Sequence, residues 1–306
     1  MTAATGLHEW IAARTRSLPL GPQTPPLPES LSRAAIVGLA SSVRSAGELV
    51  AASRVLLRGL VERAGFRAVA IEGTSETALA LDRYVRTGDG DPARLIAASQ
   101  GFLRTREALD IVRWLRNWTE AHPDDPVSIV HDGAHVKRPV GLAEIETYLA
   151  SSDLAWHART GQRIVHLGGT AHVVAGDPRT VPPDQTHRNA GGIMRAELGG
   201  DYGVAALTVG SGKAPFPVPP PPYDFTEHAF AEVPHEVALL ELENMTGAPQ
   251  PVTDWSRSPL RTRMIGPHYE PTRDHDFRVD AGPLHECLDV LIHTSRITAT
   301  KPLTPA

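Results

Sequence analysis

The chain has a single cysteine, Cys287. One thiol forms no internal disulfide and cannot build a four-cysteine zinc site. The first ten residues, Met1 to Trp10, lack a basic segment followed by an apolar one, so the start does not read as a secretion signal. No run approaches the roughly 18 apolar residues that a membrane-spanning helix requires. There is no basic stripe either: 30 Lys and Arg face 35 Asp and Glu, for a net charge of −5, which argues against a nucleic-acid partner. A serine-hydrolase elbow, Gly-x-Ser-x-Gly, is missing, since Gly210-Ser211-Gly212 is too short a match. There is no internal repeat. These absences predict a cytoplasmic protein with no membrane or nucleic-acid partner and no cofactor.

The chain is 306 residues long and 41% hydrophobic, enough for one large core or two small ones. Residues 1–32 read as an irregular lead-in, with five prolines between positions 17 and 29. From residue 33 onward, short apolar runs alternate with helical spacings. Residues 34–39, 68–71, 127–130 and 163–167 read as buried strands, with later ones near 204–209, 237–242 and 288–293. Between them, 48–64 carries Leu49, Ala52, Leu56, Leu57, Leu60 and Val61 on one helical face, and Gly65 suits its end. Residues 75–85, with Ser75 as N-cap, and 104–121 and 142–160 are the other main helices. This alternation predicts one α/β domain over 33–306, a mostly parallel sheet with helices on both faces. Pro215, Pro217 and Pro219 to Pro222 predict a rigid, extended surface segment.

In open parallel sheets, ligands bind at the carboxyl ends of the strands. Glu72, His131, Asp132 and His172 each fall just after a predicted strand, so one sheet edge gathers residues scattered over the sequence. A carboxyl at a buried strand end is costly unless paired, which singles out Glu72; a salt bridge to Arg44 or Arg54 is the structural alternative. His131, Asp132 and His135 have the spacing of a loop metal site, but with 14 histidines chance clusters arise easily, and no metal is expected. His268, His275 and His285 lie in polar surroundings and read as surface. Trp114 and Trp118 read as core, and Cys287 as a buried, inert thiol.

Four stretches, taken in order, resemble the erythromycin esterase family. They are Phe66 to Glu72 with Ala78 to Pro92; Arg104 to Glu107 with Val112 to Arg116; Leu154 to Trp156 through Ala171-His172-Val173; and Pro259 to Gly266 with Leu288 to His293 and Thr298 to Leu303. The resemblance runs from about residue 33 to 303. It implies an α/β core with a deep cleft, in which a Gly-Glu-x-x-His-Gly loop after the first strand supplies a glutamate and a histidine base that activate water against a macrolactone. A glutamate ends the second strand, and an Ala-His-Asn-x-His segment supplies further imidazoles.

The resemblance places Glu72 at the strand-end glutamate, Glu48 at a downstream glutamate, His172 at the second imidazole and Asp132 at an aspartate after the third strand. Other positions depart from it. The loop glutamate is Ser41 and the loop histidine is Arg44; the first later histidine is Gly169. Arginine stays protonated and is no ordinary base. The helical insertion after the third strand shrinks to about ten residues, so the cap over the cleft is expected to be largely missing. The expected catalytic residues are therefore Glu72, His172 and Arg44, with Glu48, Ser41, Arg54, Asp132 and His131 at the substrate. Three functions remain open. One is a diverged enzyme of natural-product biosynthesis, performing non-hydrolytic acid–base chemistry on a polyketide- or peptide-like molecule. The others are a catalytically silent scaffold and a residual esterase built on Glu72 and His172.

Overall fold

Apolar runs bounded by glycine and polar residues become strands, and apolar spacings of three and four become helices. The computed structural model describes residues 3–99, 101–131, 141–176, 179–181, 185–243, 245 and 247–303. Its strands are β1 (Arg16–Ser17), β2 (Ile36–Ser41), β3 (Phe66–Ile71), β4 (Ser128–Ile129), β5 (Arg163–Gly169), β6 (Arg179–Val181), β7 (Gln185–His187), β8 (Tyr202–Lys213), β9 (Pro217–Val218), β10 (Val237–Glu241), β11 (Pro259–Arg263), β12 (Arg278–Pro283) and β13 (Val290–Ile297). The helices are α1 (Ala3–Arg14), α2 (Glu29–Arg33), α3 (Gly47–Ala64), α4 (Ser75–Thr87), α5 (Pro92–Ala98), α6 (Arg106–Ala121), α7 (Leu142–Thr160), α8 (Thr170–Val173), α9 (Ala190–Leu198), α10 (Gln250–Arg257) and α11 (Leu284–Cys287).

The main sheet runs in the order β1-β10-β13-β8-β2-β5-β3-β4, with β9 added against β8. From β13 to β4 every neighbouring pair is parallel; β10 and β1 are antiparallel additions at one edge. A strand shows alternate residues to opposite faces, and each face here has its own core. Val37, Leu39, Val165, Ala205 and Leu207 pack with Leu49, Leu56, Leu81, Leu109 and Leu115 of α3, α4 and α6. Ile36, Ala40, Ile164, Val204 and Ala206 pack with Ile11, Ala150, Trp156 and Met194 of α1, α7 and α9. Helices thus cover both faces, as the alternation predicts.

Gly65 closes α3 in the left-handed conformation, at φ 71°, a conformation glycine adopts at little cost. Three readings need correction. The lead-in is not irregular throughout: residues 3–14 form α1, whose Ile11 is buried in the sheet core. The N-cap of α4 is Thr74, whose hydroxyl accepts from the Thr77 N–H, and Ser75 is the first helical residue. A second, four-stranded antiparallel sheet, β11-β12-β6-β7, was not expected at all. Its strands are short and polar on one face, so they carry no apolar run to announce them. The proline segment is also more than surface, because the Pro219 carbonyl accepts from the buried Arg263 guanidinium at 2.8 Å.

Candidate active site

Strands β2, β5 and β3 lie side by side and parallel, with Ser41 opposite Gly169 and Ile71 opposite Leu167. Their carboxyl ends deliver Ser41, Glu72 and the turn into α8 to one place. Arg44, three residues past β2, donates from Nη1 to Glu72 Oε2. The other Glu72 oxygen accepts from the Gly169 N–H at 2.8 Å. Glycine is needed next door: a side chain at Gly168 would put its Cβ 2.5 Å from Glu72 Oε1 and 2.5 Å from Val173 Cγ2. A Cβ at Gly169 would make ordinary contact with the Arg44 guanidinium carbon, at 3.4 Å, so the two departures from the family pattern, at positions 44 and 169, are neighbours in space. On its other face Arg44 stacks against Phe102, with 3.8 Å to the ring centroid.

His172 lies on α8. Its Nδ1 is 2.9 Å from Glu146 Oε1, and His187 Nε2 is 3.4 Å from the same oxygen. The other Glu146 oxygen accepts from the Ala190 N–H at 2.9 Å, and the Glu146 side chain is fully buried. A second couple stands behind them: His166 Nδ1 is 2.6 Å from Asp153 Oδ2, both buried. Neither Glu146 nor Asp153 was singled out from the sequence, yet the signal exists. Glu146, Ala150, Asp153 and Trp156 form the buried stripe of α7 at spacings of four, three and three, so two acids were bound to point inward.

The electrostatics join these groups. Burial alone pushes the Glu72 carboxyl upward; the charges of Arg44, His172 and His166, with the Gly169 N–H, outweigh it and hold the group below its ordinary value. Burial pushes His172 downward, but Glu72 and the hydrogen-bonded Glu146 raise it above the usual imidazole range. His166 is likewise raised, chiefly by Asp153, against its own desolvation. The site thus pairs a carboxylate fixed in its charged form with an imidazole biased toward its protonated form.

Of the other expected residues, Ser41 lines a cavity beside Arg44, and its hydroxyl is buried with no hydrogen-bond partner among the described residues. Glu48 is not at this site's centre. Its two oxygens accept from the Thr298 N–H and hydroxyl, both at 2.7 Å, tying the segment after β13 to the start of α3. Arg54 lines a separate surface pocket with Arg58, Asp110 and Trp114, so the ion pair of Glu72 is with Arg44 alone of the two candidates. His131 is held by Asp82, 3.6 Å away, and by the edge of Trp156. Asp132 and His135 lie outside the described residues. Among the described residues no cluster of three or more His, Cys, Asp or Glu is placed to hold a metal. Cys287 is buried, which pushes its thiol up to about 12, so it is no nucleophile at neutral pH.

The model of the erythromycin esterase family matches residues 61–153 and 146–297. The chain belongs to the erythromycin esterase family. Similar solved structures agree with this family fold. A protein described as a succinoglycan biosynthesis protein superposes with a TM-score of 0.80 at 15% identity, covering 97% of this chain and 98% of its own. A protein from Bacillus cereus gives 0.76 at 15% identity, covering 98% and 99%. A mutant of the erythromycin esterase EreC, in its open conformation, gives 0.67 at 12% identity, covering 95% and 99%. At such identities the likeness establishes the fold alone. No curated protein matches significantly. In this erythromycin esterase family member, the polar centre holds the Arg44–Glu72 pair and the His172–Glu146 couple. No helix among the described residues is long and apolar enough to cross a membrane.

Proposed function

We propose that this protein is an acid–base enzyme acting on a small organic molecule of polyketide or peptide type, with His172 as the proton-carrying group. The observation that supports this reading is the His172–Glu146 hydrogen bond, made inside the protein next to the Arg44–Glu72 pair. A buried carboxyl behind Nδ1 fixes the ring and leaves Nε2 to face the reactant, the arrangement a general acid–base histidine needs. Glu146 is then a positioning residue. Glu72, held charged, accepts a proton or a hydroxyl hydrogen bond, and Arg44 stabilises negative charge that develops on an oxygen.

An imidazole raised by two carboxyls begins the reaction protonated more often than a free one. That favours reactions opened by proton donation, such as cyclisation, elimination or isomerisation, over deprotonation of water. Hydrolysis is the second reading, and one observation favours it: the His172–Glu146 couple supplies an imidazole and a carboxyl in place of the pair missing from the loop. Mass spectrometry separates the two. The protein is incubated with a library of lactones, linear esters and polyketide-like acyl compounds. The proposal expects products of unchanged mass or lighter by one water, slowed about 10²–10⁴-fold in His172→Gln and strongly in Glu146→Gln. Lactone products heavier by one water, or an acid and an alcohol released from the linear esters, would replace it with hydrolysis. Turnover that is indifferent to both substitutions would remove His172 from the chemistry.

A further inference from the structure

Beside the polar centre lies a cavity of about 90 Å³. Its walls are almost wholly aliphatic: Leu39, Val50, Ile71, Leu81, Ile111 and Val112 among them, with the half-buried Phe102 and Leu103 on its outer side. Arg44 and Ser41 line it where β2 and β5 end, and Ser53 and Thr105 are its other polar side chains, the Thr105 hydroxyl being taken by the Ala108 N–H. We propose that this cavity is a specificity pocket for a short alkyl group, up to about four carbons, whose attached carbonyl oxygen is held by Arg44 and Ser41. The inference rests on the acid–base reading of the site and names the part of the substrate that enters it.

Size sets the first limit. A dry apolar cavity of about 150 Å³ accommodates benzene. A space of 90 Å³ takes something smaller, and its aliphatic lining rewards an alkyl group over a polar one. Hydrogen bonding sets the second. The buried Ser41 hydroxyl has no partner among the described residues, and Arg44, which also lines the cavity, uses Nη1 on Glu72 and has further N–H groups besides. Both are donors, so they call for an acceptor. Charge sets the third. Glu72 already neutralises Arg44, and a second carboxylate beside it would be poorly compensated. The acceptor is therefore an uncharged carbonyl, as in an amide, ester or ketone, and not a free acid. Phe102, packed on Arg44, closes the guanidinium between the ring and the strand end and keeps those donors aimed.

The test is ligand-observed NMR on the full chain with butyramide, sodium butyrate and octanamide. Butyramide has six non-hydrogen atoms, so roughly millimolar affinity is expected. It should bind at least tenfold more tightly than butyrate, and octanamide should bind no better. Ala108 lines the cavity from α6 and only its backbone caps the helix, so Ala108→Leu fills the space without disturbing the fold; Leu103→Trp does so from the outer wall. Each should weaken butyramide at least tenfold while the melting temperature holds. Butyrate binding as well as butyramide would overturn the neutral-carbonyl assignment. Octanamide binding more tightly, butyramide failing to bind, or both filled variants binding like the wild type would overturn the pocket itself. Because binding is read without turnover, the two proposals fail separately. Binding without His172-dependent chemistry sinks the acid–base reading, and His172-dependent chemistry without binding sinks the pocket.

Discussion

Two histidines of this protein are shifted in opposite directions. His293 on β13 is buried, has its Nδ1 3.1 Å from the Thr208 hydroxyl and stacks on Phe230. Burial, with the nearby charge of Arg263, pushes it down to about 3. His172 is partly buried, and Glu72 and Glu146 carry it upward. Their surroundings differ in the same sense. Arg263 is fully buried, donates to Asp274 and to the carbonyls of Gly210 and Pro219, and so ties β8, the proline segment and β11 together. Glu227 beside it accepts from the Thr262 hydroxyl and the Arg263 N–H. None of these residues lines the cavity, whereas Arg44, the ion-pair partner of Glu72, does; His172, Glu72 and Glu146 do not line it. Burial of charge therefore does not mark a reactive site by itself. The proposed site differs by its placement at the ends of parallel strands, with carboxyls behind its imidazoles.

The strongest way to break this comparison is to remove Arg263. Asp274 would then be a buried carboxylate without its cation, and three main-chain contacts would be lost. Arg263→Met should cost about 3–5 kcal/mol in urea unfolding, while the NMR titration of His172 stays where it is. A shift of His172 in that variant would mean the two networks are one, and the comparison would fall. A narrower change strikes the other region. Gly168→Ala sets a methyl group against Glu72 Oε1 and Val173 Cγ2. It should cost about 2–3 kcal/mol by overpacking, and by displacing the carboxylate from Arg44 and the Gly169 N–H it should raise the Glu72 titration toward its ordinary value. An unchanged Glu72 titration would show that Gly168 does not hold the site open.

The legible and illegible parts of this molecule divide along the range of the interactions. Strands β2, β3 and β5 and helices α3 and α7 were readable because their apolar patterns are local and regular. That Glu72 meets Arg44 at the strand ends was readable because parallel strands bring their carboxyl ends to one edge. Glu48 and Arg54 misled because helix position does not say which way a long side chain reaches. Glu48 turned to Thr298, 250 residues away, and Arg54 to a surface pocket. Glu146 was missed although its face of α7 was predictable, since its importance comes from His172 and His187, which only the folded chain brings to it. The nearness of Arg44 to Gly169 was likewise hidden: in sequence they lie 125 residues apart, and in space they are neighbours.

The smallest expected effects sharpen the comparison of the two histidines through pH. His293 has a folded value of about 3 against 6.5 when free, so as pH falls below 6.5 the unfolded chain takes up a proton that the folded chain refuses. Stability drops over that window by at most about 1.4 kcal/mol per pH unit. His293→Gln should remove about 2 kcal/mol of that loss by pH 5. His172 has the opposite sign. Its value is raised above 6.5, so its contribution is fully present below 6.5 and fades as pH climbs through the folded value. His172→Gln should therefore leave the acid limb intact and flatten the alkaline side, by less and over a narrower range. Glu72 is lowered from 4.5, so its contribution is present above that pH and is lost only as pH falls further, beyond the His293 onset. Urea midpoints across pH 4–9 separate these limbs. If His172→Gln relieved the acid limb as His293→Gln does, the carboxyls around His172 would not be charging it, and its role as proton donor would lose its physical basis.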